Sequence, residues 1–242
     1  MSERNVAVVT GGSTGIGAEI CTFLLAQGYE VVSVSRRKAS PQDRLTSVEV
    51  DLLDPVATAE AAAEIARRFP VTHFIHNAGL IRPALLGDIG PEDIPQMAQM
   101  HLNAPVILVQ SLLPGMRKAH FGRIVFVASR AALGAVTRTG YGGTKAAMIS
   151  MARTWALELA RDGITVNVVA PSFTEGTEMF EAVVPVGGEK HKALEAGVPV
   201  GRLARPDDTA RAVVFFADRA NSYVTGQVLY VCGGSSLGVL QI

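Results

Sequence analysis

The stretch of sequence that decides the fold is VAVVTGGSTGIG, residues 6–17. Its first five residues form a short apolar run, which predicts a buried strand, and the glycines that follow predict a tight turn. A helical pattern starts at Ala18. Glycines between a strand and a helix let the backbone approach a pyrophosphate, which then meets free amides and the positive end of the helix dipole. The stretch therefore predicts a dinucleotide-binding turn, although glycine also marks ordinary turns.

The rest of the chain alternates short apolar runs with longer helical patterns. The further predicted strands are Glu30–Ser35, Val48–Val50, Thr72–His76, Arg123–Ala128, Ile164–Val169 and Gln227–Val231. The predicted helices are Ala18–Gln27, Ala57–Arg68, Pro91–Lys118, Gly143–Ala160 and Pro206–Asp218. This alternation is typical of an α/β fold with a doubly wound parallel sheet of the Rossmann type, in three layers, α/β/α. Ligands of such sheets bind beyond the carboxyl ends of the strands.

Length and composition narrow the class of protein. The 242 residues suit one sizeable core, so we expect a single domain over residues 1–242, and 48% apolar with 18% charged residues indicates a globular chain. Lys+Arg and Asp+Glu both number 22, so composition does not predict a nucleic-acid or membrane partner. No apolar segment is long enough for a membrane span and no signal peptide is recognised, which predicts a cytoplasmic protein.

The residues after the second predicted strand bear on the cofactor. Ser35, twenty residues beyond Gly15, is followed by Arg36 and Arg37 where an acidic residue would grip the adenosine ribose of NAD. A guanidinium binds a 2′-phosphate, which a carboxylate would repel. We therefore predict a preference for NADP(H), with NAD possible. The alternative is a solvated basic loop.

A second group of residues predicts acid–base chemistry. Ser129 follows a predicted strand, and Tyr141 and Lys145 stand four residues apart at the start of a helix, on one face. Lowering a phenol pKa from about 10 toward neutrality requires about 4 kcal/mol, which a nearby ammonium supplies at an effective dielectric near 20. Ser129 is suited to donate a hydrogen bond to a substrate oxygen. The alternative is an ordinary tyrosine–lysine pair with a solvated lysine.

With these motifs in order, the sequence resembles the short-chain dehydrogenase/reductase family in its single-domain form, and in particular its 3-oxoacyl-acyl-carrier-protein reductase-like members. The resemblance covers essentially the whole chain. It is carried by the glycine turn, Asp51-Leu52, His76-Asn77-Ala78-Gly79, Asn103, Ser129, Tyr141, Lys145, Pro171 and Gly233-Gly234.

The resemblance implies a role for each matching residue. Tyr141 would be the general acid or base, Lys145 would lower its pKa and bind the nicotinamide ribose, and Asn103 would support a water in a proton relay. Ser129 would hold the substrate oxygen. The implied cofactor contacts are Gly11, Ser13, Thr14, Gly15, Ile16, Gly17, Ser35, Arg36, Arg37, Asp51, Leu52, Asn77, Ala78, Gly79, Tyr141, Lys145, Pro171, Ser172, Thr174 and Thr177.

Some positions depart from the family pattern. His76 replaces the first asparagine of Asn-Asn-Ala-Gly and is interpreted as a packing variant. Ser172 stands where glycine is common, and the threonine beyond it is either Thr174 or Thr177. Thr14 occupies a position where many NADP-preferring members have a basic residue, so the NADP prediction depends on Arg36 and Arg37.

The segment 172–201, called the lid below, contains no clear strand and follows a strand end, so it is predicted to cover the substrate. Phe173, Met179 and Phe180 would give the lid an apolar face.

Arg130 and Arg138 face either an anionic substrate or carrier, or solvent. We predict no metal site, two buried free thiols at Cys21 and Cys232, and a homodimer or homotetramer formed through the helices that carry Asn103 and Tyr141.

The sequence thus predicts an NADP(H)-dependent oxidoreductase that interconverts a carbonyl and a secondary alcohol of a small-molecule substrate. A 3-oxoacyl thioester reductase is the more specific alternative. A non-catalytic NADP(H)-binding protein would keep the glycine turn but would not need Ser129, Tyr141 and Lys145 together.

Overall fold

The computed structural model describes residues 5–237. Seven strands form one sheet: β1 (Val6–Thr10), β2 (Glu30–Ser35), β3 (Leu45–Glu49), β4 (His73–His76), β5 (Gly122–Val127), β6 (Ile164–Pro171) and β7 (Val228–Val231). The strand order is β3-β2-β1-β4-β5-β6-β7, and all neighbours are parallel. The order reverses between β1 and β4, which opens a crevice at the carboxyl ends of the strands. The predicted doubly wound parallel sheet is confirmed.

Eight α-helices accompany the sheet in the described part of the chain. They are α1 (Gly15–Ala26), α2 (Pro55–Arg68), α3 (Asp93–Ala98), α4 (Ala104–Lys118), α5 (Thr139–Leu159), α6 (Glu178–Glu181), α7 (Glu189–Ala196) and α8 (Pro206–Ala217). One apolar cluster joins one face of the sheet to α2, α4 and α5, and a second joins the other face to α1 and α8. Burial on both faces explains why the strands are continuously apolar.

Three elements differ from their predicted form. The long helix predicted over 91–118 is α3, a π-helical turn Gln99–Asn103, and α4. Helix α5 begins at Thr139, four residues before the predicted start, so Tyr141 lies in its first turn. The lid contains α6 and α7.

Both cysteines lie in the described part of the chain. Cys21 and Cys232 are free and buried, as predicted. Among residues 5–237, no helix is long and apolar enough to cross a membrane.

Candidate active site

The glycine turn between β1 and α1 has a backbone that only glycine fits. Gly11 and Gly15 have φ angles of 66° and 54°, in the left-handed region where a β-carbon is unfavourable. A β-carbon at Gly17 would overlap the Gly11 carbonyl and the Asn77 amide. Gly17 therefore brings the helix close to the turn, while Gly11 and Gly15 lie on the wall of the cleft.

Asn77 braces this turn from the end of β4. Its Nδ2 donates to the carbonyls of Thr10 and Gly11, at 3.3 and 3.2 Å. The backbone amides of Asn77 and Ala78 each donate to Thr10 Oγ1 at 3.1 Å. The ends of β1 and β4, the two strands at the crevice, are thus held together by side chains that the sequence places after each strand.

A cleft of about 1100 Å³ lies at this edge of the sheet. It is bounded by the glycine turn, the ends of β1, β2, β4, β5 and β6, the start of α5 and the lid. At the end of β2, the buried hydroxyl of Ser35 has no hydrogen-bond partner among the described residues. Thr14, the N-cap of α1, makes no side-chain cap hydrogen bond with them either. An open glycine turn, an uncapped helix start and an unpaired hydroxyl fit the phosphate and ribose groups of a dinucleotide.

The two arginines after β2 both line this cleft but differ in their partners. Arg37 donates from Nη2 to both carboxylate oxygens of Glu178 in the lid, at 2.9 and 2.8 Å. For Arg36, no carboxylate of the described chain lies within ion-pair distance. Arg36 is therefore the guanidinium available to an anion at the end of β2, whereas Arg37 is already paired.

Ser129, Tyr141 and Lys145 meet at the wall of the cleft. Ser129 follows β5, and its Oγ accepts from the Ala131 amide at 3.1 Å. Tyr141 and Lys145 lie one turn apart on α5 and are almost fully buried, at 9% and 2% exposure. Lys145 Nζ donates to the Val127 carbonyl at 2.9 Å and lies 5.7 Å from the centroid of the Tyr141 ring. The structure thus brings together a hydroxyl, a phenol and an amine.

The pKa values of the pair correct the simple electrostatic expectation. Burial raises the pKa of Tyr141, and the hydrogen bond with Ser129 and the charge of Arg138 oppose that rise without cancelling it. Burial also lowers the pKa of Lys145 to about 7. Desolvation disfavours the charged form of both groups, so Lys145 does not bring the phenol to neutrality in this environment. Tyr141 is a protonated phenol, in the form of a general acid.

The prediction for Asn103 is not supported by the geometry. Asn103 is exposed, and its Nδ2 donates to Gln99 Oε1 at 3.2 Å within the π-helical turn. His101, two residues earlier, is fully buried instead, and its ring packs edge-on against Tyr141 with 5.7 Å between centroids. Two positions along a helix point in nearly opposite directions, so only one of these side chains reaches the site.

The bonds of His101 define its tautomer. Its Nε2 accepts from the Leu80 amide at 3.1 Å, so Nδ1 carries the proton and donates to Thr144 Oγ1 at 2.8 Å. Burial, and secondarily the charge of Lys145, lower the pKa of His101 far below its usual range. His101 is a neutral imidazole that ties the backbone after Gly79 to α5.

His76 has a similar structural role one strand away. Thr10 Oγ1 accepts two amide protons and therefore donates its own to His76 Nδ1 at 3.0 Å, and His76 Nε2 donates to the Met100 carbonyl at 3.1 Å. Burial lowers the pKa of His76 to about 3. This geometry supports the interpretation of His76 as a packing variant, and it links β4 to the π-helical turn.

The structure collects most of the predicted cofactor residues on the cleft wall. They are Gly11, Ser13, Thr14, Gly15, Ile16, Ser35, Arg36, Arg37, Leu52, Asn77, Ala78, Gly79, Tyr141, Lys145, Pro171, Ser172, Thr174 and Thr177. Asp51 is not on that wall: it is exposed, and its carboxylate accepts from the Leu53 amide at 3.0 Å within a turn. Thr177 lies against Gly15, with its Cγ2 3.2 Å from where a β-carbon would stand.

The mouth of the cleft is apolar on the lid side and basic at its edge. Phe180 is buried in a small lid core with Val184, Val198 and Leu203, and Phe173 packs against it. Met179 lies near Gly79, 3.7 Å from the position of a β-carbon there. The wall also includes residues that the sequence did not predict as part of the site: Leu80, Ile81, Met100, Ala135, Val136, Val183, Val184, Lys190 and Leu194. No spacing marks them, because they come from four separate segments: the turn after β4, the π-helical turn, the connection from β5 to α5, and the lid.

Three basic residues, Arg130, Arg138 and Lys190, also line the cleft. Arg130 lies over the Phe173 ring, 5.9 Å from its centroid, and Arg138 donates to Thr137 next to it. Within residues 5–237 no carboxylate is within ion-pair distance of any of the three. The same range contains no group of three histidine, cysteine or acidic side chains arranged to hold a metal ion.

Comparison with known proteins gives a consistent result. Residues 11–236 match the model of the family described as Enoyl-(Acyl carrier protein) reductase. An acetoacetyl-CoA reductase of Rhizobium meliloti is 35% identical over 95% of this chain and 97% of its own length. The 3-oxoacyl-[acyl-carrier-protein] reductase FabG of Vibrio cholerae is 33% identical over 96% of this chain and 97% of its own.

Solved structures agree with the fold at similar coverage. ElxO with NADP bound superposes with a TM-score of 0.89 at 26% identity, over 97% of this chain and all of that one. A structure from Beutenbergia cavernae, assigned as an NAD(P)-dependent gluconate 5-dehydrogenase and containing NADP, has a TM-score of 0.86 at 30% identity over 97% of each chain.

Proposed function

Because the chain belongs to the short-chain dehydrogenase/reductase family, whose chemistry makes it an NADP(H)-dependent oxidoreductase of carbonyl and alcohol groups, we propose that it reduces 3-oxoacyl thioesters, with Tyr141 as the proton donor. The observation that carries the proposal is the meeting of Ser129, Tyr141 and Lys145 on the wall of a cleft that begins at the glycine turn. A protein that only bound the cofactor would need the turn but not these three side chains.

The side chains divide the work of the reaction. NADPH supplies the hydride when it is bound, and the glycine turn would hold its pyrophosphate. Ser129 holds the substrate carbonyl oxygen, and Tyr141 donates its phenolic proton to that oxygen as negative charge develops there. Lys145 donates one hydrogen bond to the Val127 carbonyl, and its remaining N–H groups would be available to ribose hydroxyls.

The raised pKa of Tyr141 bears on how the rates of reduction and oxidation depend on pH. A phenol that stays protonated at neutral pH is a ready acid for a developing alkoxide, whereas alcohol oxidation requires the phenolate. We therefore expect reduction to proceed at neutral pH and oxidation to accelerate as the pH rises.

The thioester assignment depends on the mouth of the cleft. Its apolar lid side suits a short acyl chain, and Arg130, Arg138 and Lys190 suit the phosphate groups of coenzyme A or of an acyl carrier protein. Relatives with acetoacetyl-CoA and 3-oxoacyl-carrier reductase names support the same class. The second candidate is an uncharged ketone, for which the three basic residues would be irrelevant.

The test is NADPH oxidation by the purified protein over acetoacetyl-CoA, a 3-oxoacyl carrier protein and matched simple ketones. Tyr141→Phe is expected to lose about 10²–10⁴-fold in kcat, because it removes the proton donor and keeps the ring. Tyr223→Phe is the matched control, since Tyr223 is a fully exposed tyrosine outside the cleft wall. Turnover that persists in Tyr141→Phe contradicts the assignment.

The same assay separates the two substrate classes. Arg130→Gln together with Arg138→Gln should raise KM for the CoA thioester and leave KM for a simple ketone unchanged. Equal increases of KM for both substrates, or a higher kcat/KM for the ketone in the unmodified protein, contradict the thioester proposal and favour the ketone.

We also propose that the chain forms a homodimer or homotetramer through α4 and α5. Leu157 on α5 is 85% exposed, and Leu102, Val106, Ile107, Leu113, Ile149, Met151 and Trp155 are only partly buried within one chain. Light scattering after size exclusion should give the mass of two or four chains, and Leu157→Glu should reduce it. A single-chain mass at micromolar concentration contradicts the proposal.

A further inference from the structure

The contact between Arg37 and Glu178 joins two distant parts of the chain across the cleft. Arg37 follows β2, and Glu178 is the first residue of α6 in the lid. One guanidinium nitrogen, Nη2, donates to both carboxylate oxygens, and the two side chains are 60% and 64% exposed. The pair is therefore a solvent-accessible ion pair, not a buried structural one.

The position of the pair places it at the cofactor end of the cleft. Thr177, immediately before Glu178, lies against Gly15 of the glycine turn. Arg36, Arg37 and Glu178 all line the cleft, and the charge of Arg36 also acts on Glu178. A phosphate bound beside Arg36 would therefore lie next to the only carboxylate that the cleft wall presents within the described chain.

We propose that Glu178 is a specificity-determining residue that competes with the 2′-phosphate of NADP(H) for Arg37. The inference rests on the proposed placement of that phosphate at Arg36 and Arg37. Arg37 carries one positive charge, so it cannot fully neutralise both Glu178 and a doubly charged phosphate. An exposed ion pair is weak enough for a phosphate to displace the carboxylate. Binding of NADPH thus replaces the Arg37–Glu178 contact, and the carboxylate reduces the advantage of NADPH over NADH.

The proposal also connects the cofactor with the lid. Glu178 and Phe180 belong to the same short helix, and Phe180 is part of the lid core that faces the cleft. Arg37 ties the start of this helix to the end of β2. The Arg37–Glu178 ion pair is therefore broken by NADP(H), which carries the 2′-phosphate, and is kept when NAD(H) binds.

The experiment measures dissociation constants of NADPH and NADH by calorimetry for the intact protein and for Glu178→Gln. We expect Glu178→Gln to bind NADPH about threefold to tenfold more tightly, the range of an exposed ion pair plus the relieved repulsion, with NADH unchanged. Glu181→Gln is the matched control, because Glu181 is on the same helix but has no ion-pair partner among the described residues. Arg37→Gln provides the second background.

The possible results distinguish the role of Glu178 from the placement of the 2′-phosphate at Arg36 and Arg37. A tighter NADPH complex in Glu178→Gln whose gain shrinks in the Arg37→Gln background supports the exchange. An unchanged ratio of NADPH to NADH affinity in Glu178→Gln overturns it, and so does a gain of equal size in the Arg37→Gln background. If Arg36→Gln and Arg37→Gln both leave NADPH binding unchanged, the placement of the phosphate itself is wrong.

Discussion

At the scale of single residues, two histidines organise the wall of the cleft without carrying charge. His101 joins the Leu80 backbone to Thr144, and His76 joins Thr10 to the Met100 carbonyl. Each ring nitrogen has one partner, so protonating either ring would set an N–H against a donor already in place. These residues hold β4, the π-helical turn and α5 in register around Tyr141. They act by positioning Tyr141 and the backbone around it, without contacting the reacting atoms.

The role of His101 can be tested against that of Asn103. His101→Ala removes the acceptor of the part-buried Leu80 amide, which should cost about 1–3 kcal/mol of unfolding free energy and lower kcat about tenfold or more through a displaced Tyr141. Asn103→Ala, at an exposed position, should change kcat by less than about twofold. Denaturant unfolding and steady-state kinetics measure both. Asn103→Ala with the larger loss of kcat would restore the sequence-based assignment.

At the scale of elements, one π-helical turn determines which side chain enters the site. Residues Gln99–Asn103 insert an extra residue into the helical repeat, so the continuation into α4 is rotated relative to α3. His101 is turned inward and Asn103 outward as a result. Such turns are common at functional sites, and this one lies directly beside Tyr141.

The lid is the second element that the local pattern does not define. Helices α6 and α7 are short, and their stability comes from the small apolar core around Phe180 and Leu203. Thr177 caps α6 by accepting from the Phe180 amide at 3.3 Å. Most of the packing that holds the two lid helices therefore comes from this small core.

At the scale of the whole molecule, the buried histidines make the unfolding free energy depend on pH. His73, His76 and His101 are fully buried, and burial lowers the pKa of His73 and His76 to about 3 and that of His101 further. The unfolded chain binds protons near pH 6.5, whereas the folded chain does not. The contribution of these histidines to the unfolding free energy is therefore fully present above about pH 6.5 and is lost as the pH falls from about 6.5 toward 3.

We expect the unfolding free energy to fall by about 1.4 kcal/mol per pH unit for each of these histidines below about pH 6. Urea unfolding at pH 7, 6 and 5 measures the slope. His76→Asn, with the residue that the family usually has there, should remove about one third of it. His120→Asn is the control, since His120 is exposed and asparagine tolerates its φ of 47°. An unchanged slope in His76→Asn would contradict the account.

The sequence by itself determined that the sheet is parallel and doubly wound, and it located the glycine turn. It also singled out Ser129, Tyr141 and Lys145 as candidate site residues. These features depend on local rules: an apolar run predicts a buried strand, glycines predict the turn, and spacing of four places two side chains on one helix face. Arg36 was predicted to lie at the cleft because parallel strands end at one edge, whereas Asn77 and the choice between Thr174 and Thr177 came from the family resemblance.

Only the tertiary structure decided the remaining features. The sequence predicted one continuous helix over 91–118 and no π-helical turn within it, so the choice between His101 and Asn103 depended on packing against Leu80 and Thr144. The contact between Arg37 and Glu178 joins residues 141 positions apart, which no local pattern can bring together. The pKa values of Tyr141 and Lys145 likewise depend on burial, and burial is a property of the assembled chain.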